Sequence, residues 1–133
     1  MFDRGKQSDL VLEYIYQLVQ KGKATVVFGN HDSFLLEFLN GDDKRVYFNI
    51  QYNGFSHTLY ALAGEKVSLL DLEPARVKIT KRYPFLKEWL STLPLFVEKG
   101  DYIFVHGGID GGMLDWKSMS SQRDFIWNRE IDM

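Results

Sequence analysis

The 133-residue sequence contains no cysteine. Neither a disulfide framework nor a thiolate metal site is therefore available, and any metal has to be held by His, Asn and carboxylate side chains. There is no surplus of positive charge either. Sixteen Lys and Arg stand against eighteen Asp and Glu, a net charge of -2, with the two signs interspersed rather than blocked. That balance provides no basic patch for nucleic acid, and no nucleic-acid partner is expected. No apolar run approaches the ~18 residues that a membrane span needs, and the first residues lack the basic-then-apolar pattern of a signal peptide. No membrane partner is expected, and a cytoplasmic location is the default expectation. Repeats, low-complexity tracts and inter-domain linkers are absent as well.

What is present suits one domain: 45% hydrophobic and 15% aromatic residues can fill a core at this length. The organising stretch is Val26-Val27-Phe28-Gly29-Asn30-His31-Asp32, an apolar run that stops at a glycine and three polar side chains able to bind metal, phosphate or protons. Such a short run ending in Gly reads as a buried strand over residues 24–28. Phe34, Leu35, Phe38 and Leu39 then recur at helical spacing. Asn30 and His31 are thus expected at a strand-to-helix turn, on the side of an α/β sheet where ligands bind.

Before this stretch, Ser8 is a candidate cap. Leu10, Val11, Tyr14, Ile15, Leu18 and Val19 form an apolar stripe that predicts a helix over residues 8–21, ended by Lys21-Gly22-Lys23. After it, Asn40-Gly41-Asp42-Asp43-Lys44 reads as a loop. Residues 45–64 are ambiguous: Val46, Phe48 and Ile50 alternate as in a strand, whereas Phe55, Leu59 and Leu62 suit a helix. Pro74 marks the first turn of a helix or breaks one, and Phe85, Leu86, Trp89, Leu90 and Leu93 make another helical stripe. Tyr102-Ile103-Phe104-Val105 reads as a second buried strand. It ends in His106-Gly107-Gly108, repeating the pattern of apolar strand, ligand-capable residue and glycine. Residues 109–112 read as loop, and Phe125-Ile126-Trp127 leads into Asn128-Arg129.

Of three histidines, His31 and His106 directly follow apolar runs and adjoin glycines, whereas His57 has no such context and reads as an ordinary residue. Imidazole and amide oxygen suit manganese, iron or zinc better than magnesium or calcium. Arg4 and Arg129 offer the planar fork that matches phosphate oxygens, although an arginine beside an acid is more often a surface ion pair.

These residues carry a resemblance. Gly29-Asn30-His31-Asp32 resembles the GNH[DE] motif of calcineurin-like metallophosphoesterases, and Asp3-Arg4-Gly5 resembles the end of their GDxxDRG motif, in the same order and at matching spacing. Phe104-Val105-His106-Gly107-Gly108, preceded by Leu93-Pro94-Leu95, is similar to the later HGG or HAG motif. Trp127-Asn128-Arg129 resembles the segment bearing a phosphate-binding arginine in bacterial and phage serine/threonine protein phosphatases and in symmetrical diadenosine-tetraphosphate hydrolases. The resemblance implies an α/β metallophosphoesterase sandwich, with mixed sheets flanked by helices, and two divalent metal ions, manganese first with iron or zinc as alternatives. By the same resemblance, Asn30 and His106 are metal ligands and Asn30 also contacts phosphate. His31 is the general acid, Asp3 orients it, and Arg4 and Arg129 hold the phosphoryl oxygens.

The family's first motif, GDxHG, and the Gly-Asp that opens the second have no counterpart in the sequence, and neither does the late GH histidine. Residues 1–133 are therefore expected to form a partial metallophosphoesterase domain. It would lack the first strand and the C-terminal strands, with Met1 internal to a longer GDMFDRG-like stretch and with an exposed sheet edge. The expected activity is that of a serine/threonine protein phosphatase, with the chain by itself inactive. Its substrate is a phosphorylated protein or, in the alternative reading, a dinucleoside polyphosphate such as diadenosine tetraphosphate. A second alternative is a non-catalytic fragment that binds phosphate or a partner protein.

Overall fold

The structure is a computed structural model that describes residues 2, 3 and 5–106. The expected loop at 109–112 and the segment 125–129 lie outside the described residues. Among those described, six helices and one two-stranded sheet make a mixed α/β chain. It divides into two compact units: residues 1–25 with 31–92, and residues 26–30 with the segment from 93 onward.

In the first unit, α1 (Ser8–Gln20) ends as the sequence predicts. Gly22 adopts φ 70°, and the N–H groups of Gly22 and Lys23 return to the carbonyls of Val19 and Leu18 at 3.0 and 2.8 Å. Together they satisfy the last orphan acceptors of the helix, in a left-handed conformation that a Cβ would penalise. Two details differ from the sequence reading. Ser8 is the first helical residue and makes no capping bond, and Leu10, Val11 and Tyr14 are exposed. The inward face is instead set by Ser8 and Leu12, four residues apart, with Leu12 fully buried. Further along that face, Tyr16 stacks on Phe85 at 3.9 Å and meets Trp89 edge-on at 5.2 Å.

The second helix, α2 (Asn30–Leu39), buries Phe34, Leu35, Phe38 and Leu39, the four apolar positions of its sequence pattern. It begins at Asn30, so Asn30 and His31 both belong to its first turn. The ambiguity at 45–64 resolves as two helices, α3 (Val46–Tyr52) and α4 (Phe55–Ala63). The strand-like alternation fails because helical geometry turns Val46 and Asn49 inward and leaves Phe48 exposed. Phe55, Leu59 and Leu62 are all fully buried on α4, with Phe55 packed edge-to-face on Phe38 at 5.8 Å. Pro74 sits in the first turn of α5 (Glu73–Arg82), where its missing N–H costs nothing. Arg76 ties that helix to the end of α2. Its Nε donates to the Phe38 carbonyl at 2.6 Å, its guanidinium lies 4.9 Å over the Phe38 ring, and it pairs with Asp43 at 2.5 Å. The last helix, α6 (Leu86–Thr92), buries Leu86 and Leu90.

In the second unit, β1 (Phe96–Lys99) and β2 (Tyr102–Val105) pair antiparallel, with Phe96 opposite Val105 and Lys99 opposite Tyr102 across the loop Gly100-Asp101. The expectation of a buried strand at β2 is corrected: Tyr102 and Phe104 are 72% and 52% exposed. The expected strand at 24–28 is corrected too. Among the described residues that run has no ladder, and its Phe28 N–H donates to the Pro94 carbonyl at 2.8 Å. An apolar run becomes a strand only when a neighbouring strand accepts its backbone groups, and the one described sheet is the β1–β2 hairpin. No helix among the described residues is long and apolar enough to cross a membrane.

Phe55 is the largest test of this core. Phe55→Ala is expected to cost about 3–5 kcal/mol in urea unfolding, a large share of a small domain's stability. Leu70→Ala, at a side chain 93% exposed, is expected to change stability by no more than about 0.5 kcal/mol. Equal effects at the two positions would contradict the packing described.

Candidate active-site residues

The first unit assembles a hydrogen-bonded trio from distant parts of the chain. Asp3 precedes α1, His31 lies in the first turn of α2, and Thr58 lies in α4. The Asp3 backbone adopts φ 78°, a left-handed conformation unusual for a side-chain-bearing residue but best tolerated by Asp and Asn. Its N–H donates to Thr58 Oγ1 at 2.8 Å, and the Thr58 hydroxyl donates back to Asp3 Oδ1 at 2.5 Å. The other carboxylate oxygen, Oδ2, meets His31 Nδ1 at 2.5 Å. Because a carboxylate oxygen accepts, Nδ1 carries the proton, and Nε2 is the nitrogen that exchanges protons with a ligand. The Asp3 carboxylate is fully buried, whereas the His31 side chain is 15% exposed. The imidazole also packs edge-on to Phe34 at 5.2 Å.

Burial pushes the Asp3 carboxyl above its ordinary value, and the hydrogen bonds from Thr58 and His31, with the charge of His31, pull the other way. A carboxyl whose folded value is raised holds its proton longer in the folded chain than in the unfolded one. The stability it contributes is complete below the unfolded value near 3.8 and is lost as pH rises through the folded value.

In the second unit, the imidazole N–H at His106 Nε2 donates to Asn30 Oδ1 at 2.8 Å. The ring rests on Gly29: a Cβ there would meet Nδ1 at 3.0 Å and Cγ at 3.1 Å, so the imidazole would have to give by a few tenths of an ångström. Imidazole nitrogen and amide oxygen are donor types that suit a divalent transition metal. The set fits such an ion in kind and falls short in number. Among the described residues no group of three or more His, Cys, Asp or Glu completes it.

Of the residues singled out in the sequence, Asp3, Asn30, His31 and His106 are described. The structure pairs the first with the third and the second with the fourth. Arg4 and Arg129, together with Gly107 and Gly108, lie outside the described residues. His57, which the sequence left without a role, is exposed. Thr58 was missed. Its only sequence signal is the four-residue interval from Gly54, which has no meaning until Asp3 is seen to dock there.

The titration of Asp3 is open to a direct test. Urea unfolding from about pH 3.5 to pH 7 is expected to show the native protein losing stability relative to Asp3→Asn as pH rises, by at most about 1.4 kcal/mol per pH unit. A difference that stays constant, or grows in the opposite direction, would refute the assignment.

Comparison with known proteins bears on what these groups do. The asymmetrical bis(5'-nucleosyl)-tetraphosphatase PrpE of Bacillus velezensis is 30% identical to this chain over 110 residues, covering 80% of this chain and 38% of that protein. The chain therefore spans well under half the length of this curated relative. No solved structure matches it. A family profile described as calcineurin-like phosphoesterase matches residues 1–132. With that match over nearly its whole length, the chain belongs to the calcineurin-like phosphoesterase family.

Proposed function

We propose that this chain is the part of a metal-dependent phosphoesterase that delivers a proton to the leaving group, with His31 as the general acid and Asp3 as the residue that orients it. The observation that carries this reading is the 2.5 Å contact between His31 Nδ1 and the buried Asp3 Oδ2. A carboxylate on Nδ1 fixes the orientation of the ring and leaves Nε2 as the nitrogen that carries the transferred proton. When the P–O bond breaks, the electron pair goes to the leaving oxygen and the Nε2 proton follows it, leaving neutral imidazole. The oxygen of the attacking water bonds to phosphorus as that bond breaks, the proton it sheds passes to solvent, and the imidazole takes one back from solvent. Such transfer is worth about 10²–10⁴-fold in rate.

Asn30 and His106 would hold one of the divalent ions, manganese in the favoured reading, and Asn30 would also contact the phosphoryl group. When bound, divalent ions supply activation of the attacking water and part of the charge neutralisation. Arg4 and Arg129 are proposed to hold the phosphoryl oxygens through paired N–H donors.

The substrate favoured by the named relative is a dinucleoside polyphosphate. The HGG form and the Trp127-Asn128-Arg129 segment support a second reading, a phosphoserine or phosphothreonine protein. The chemistry separates the two. A phosphoanhydride expels a phosphate group whose second pKa is about 6, whereas phosphoserine expels an alkoxide that needs the proton far more.

The test is hydrolysis of diadenosine tetraphosphate and of a phosphoserine peptide with manganese, by the protein carrying its natural flanking sequence. His31→Ala is expected to lower kcat about 10²-fold on the anhydride and about 10⁴-fold on the ester, with smaller effects on KM. The substrate with the higher native kcat/KM identifies the physiological class. An unchanged rate in His31→Ala on both substrates would overturn the mechanism.

A further inference from the structure

We infer that Thr58 is a positioning residue for the His31–Asp3 pair, and that Gly54, one helical turn before it, makes the room in which it acts. The inference rests on the functional reading above and extends it to a part of the chain, helix α4, that no motif marks.

The argument starts from what His31 requires. A carboxylate held only through Oδ2 can rotate about its Cα–Cβ and Cβ–Cγ bonds and let the imidazole drift. Thr58 removes that freedom at two points, accepting from the Asp3 N–H at 2.8 Å and donating to Asp3 Oδ1 at 2.5 Å. One hydroxyl thus fixes both the backbone and the carboxylate of the same residue. A helical threonine ordinarily turns its hydroxyl to a carbonyl three or four residues back. Thr58 instead reaches a residue 55 positions away, and it is completely buried. Its branched Cβ keeps the hydroxyl in one of few rotamers, so the direction of the bond is built into the helix.

Gly54 supplies the second, independent observation. It stands at the start of α4 with φ 73°, and a Cβ on it would lie 2.5 Å from the Asp3 carbonyl oxygen. No flexible side chain could yield there, because the obstructing atom is backbone. The left-handed Asp3 conformation is therefore enclosed on two sides, by the missing side chain of Gly54 and by the hydroxyl of Thr58. Unfavourable backbone geometry of this kind persists where surrounding contacts over-determine it.

The test reads the imidazole itself and does not depend on turnover. In the full chain labelled with 15N-histidine, the Nδ1–H proton of His31, shielded and bonded to a carboxylate, is expected as a downfield resonance. Thr58→Ser keeps the hydroxyl and is expected to keep that resonance. Thr58→Val, close in shape but without the hydroxyl, is expected to lose it to exchange while the backbone amide spectrum stays dispersed. Gly54→Ala, which pushes on the Asp3 carbonyl and leaves the hydroxyl in place, is expected to shift or broaden it. Should Thr58→Val fail to fold, Thr58→Ser and Gly54→Ala decide the matter together. Retention of the native resonance in Thr58→Val or in Gly54→Ala would overturn the inference, and so would its loss in Thr58→Ser. In the active protein, Thr58→Val is further expected to lower kcat about tenfold with KM unchanged, and Thr58→Ser to restore it. If the resonances behave as expected but no phosphoester or phosphoanhydride is hydrolysed, the positioning role stands and the functional reading fails. Hydrolysis with no change of resonance in the variants overturns the positioning role alone.

Discussion

The buried carboxylate of Asp3 is the constraint around which the first unit is arranged. Removing a carboxylate from water is costly unless its oxygens are met by donors. Here both are met, Oδ1 by Thr58 and Oδ2 by His31. Those two donors come from α4 and α2, so satisfying a single side chain fixes where three separate pieces of the chain must lie. Phe38 and Phe55, in contact on the same two helices, provide the apolar packing that holds the donors at that spacing. The polar trio and the aromatic contact thus support each other. The core sets the position of the hydrogen bonds, and the hydrogen bonds keep a charged group from opening the core.

The second unit shows a different economy. Asn30 and His106 are joined by an exposed hydrogen bond, and the histidine ring lies against Gly29. The two pairs thus differ in their access to solvent, the Asp3 carboxylate being fully buried and the Asn30–His106 bond exposed. Membership of the calcineurin-like phosphoesterase family is consistent with both.

Much of this was legible in the sequence, and the failures have physical causes. The helix over Asn30–Leu39 could be read because its apolar residues follow the helical period and all four are buried. Residues 45–64 could not be assigned from pattern, because Val46, Phe48 and Ile50 fit alternation by composition while only packing reveals that Phe48 faces outward. The apolar run at 24–28 has the content of a strand, but strand formation is a property of pairs and the partner was not in the run. On α1 the excess of apolar residues obscured which face is buried, and the true inward positions, Ser8 and Leu12, include one polar residue that a hydrophobic stripe passes over. Among the candidate residues, Asp3, Asn30, His31 and His106 stand in recognisable short motifs. Thr58 stands in none, because its meaning lies in a contact with the far N-terminal end of the chain.

That separation has a bearing on how the chemistry comes into being. Bringing residues 55 apart into contact costs about 3–4 kcal/mol of loop-closure entropy, about as much as the two hydrogen bonds made there return. Asp3 therefore cannot reach Thr58 on the strength of their own attraction and docks only where the rest of the fold has already been assembled to receive it. The short motif carries the imidazole, but its aim belongs to the whole tertiary structure, so a peptide bearing Gly-Asn-His-Asp inherits the reagent without the direction.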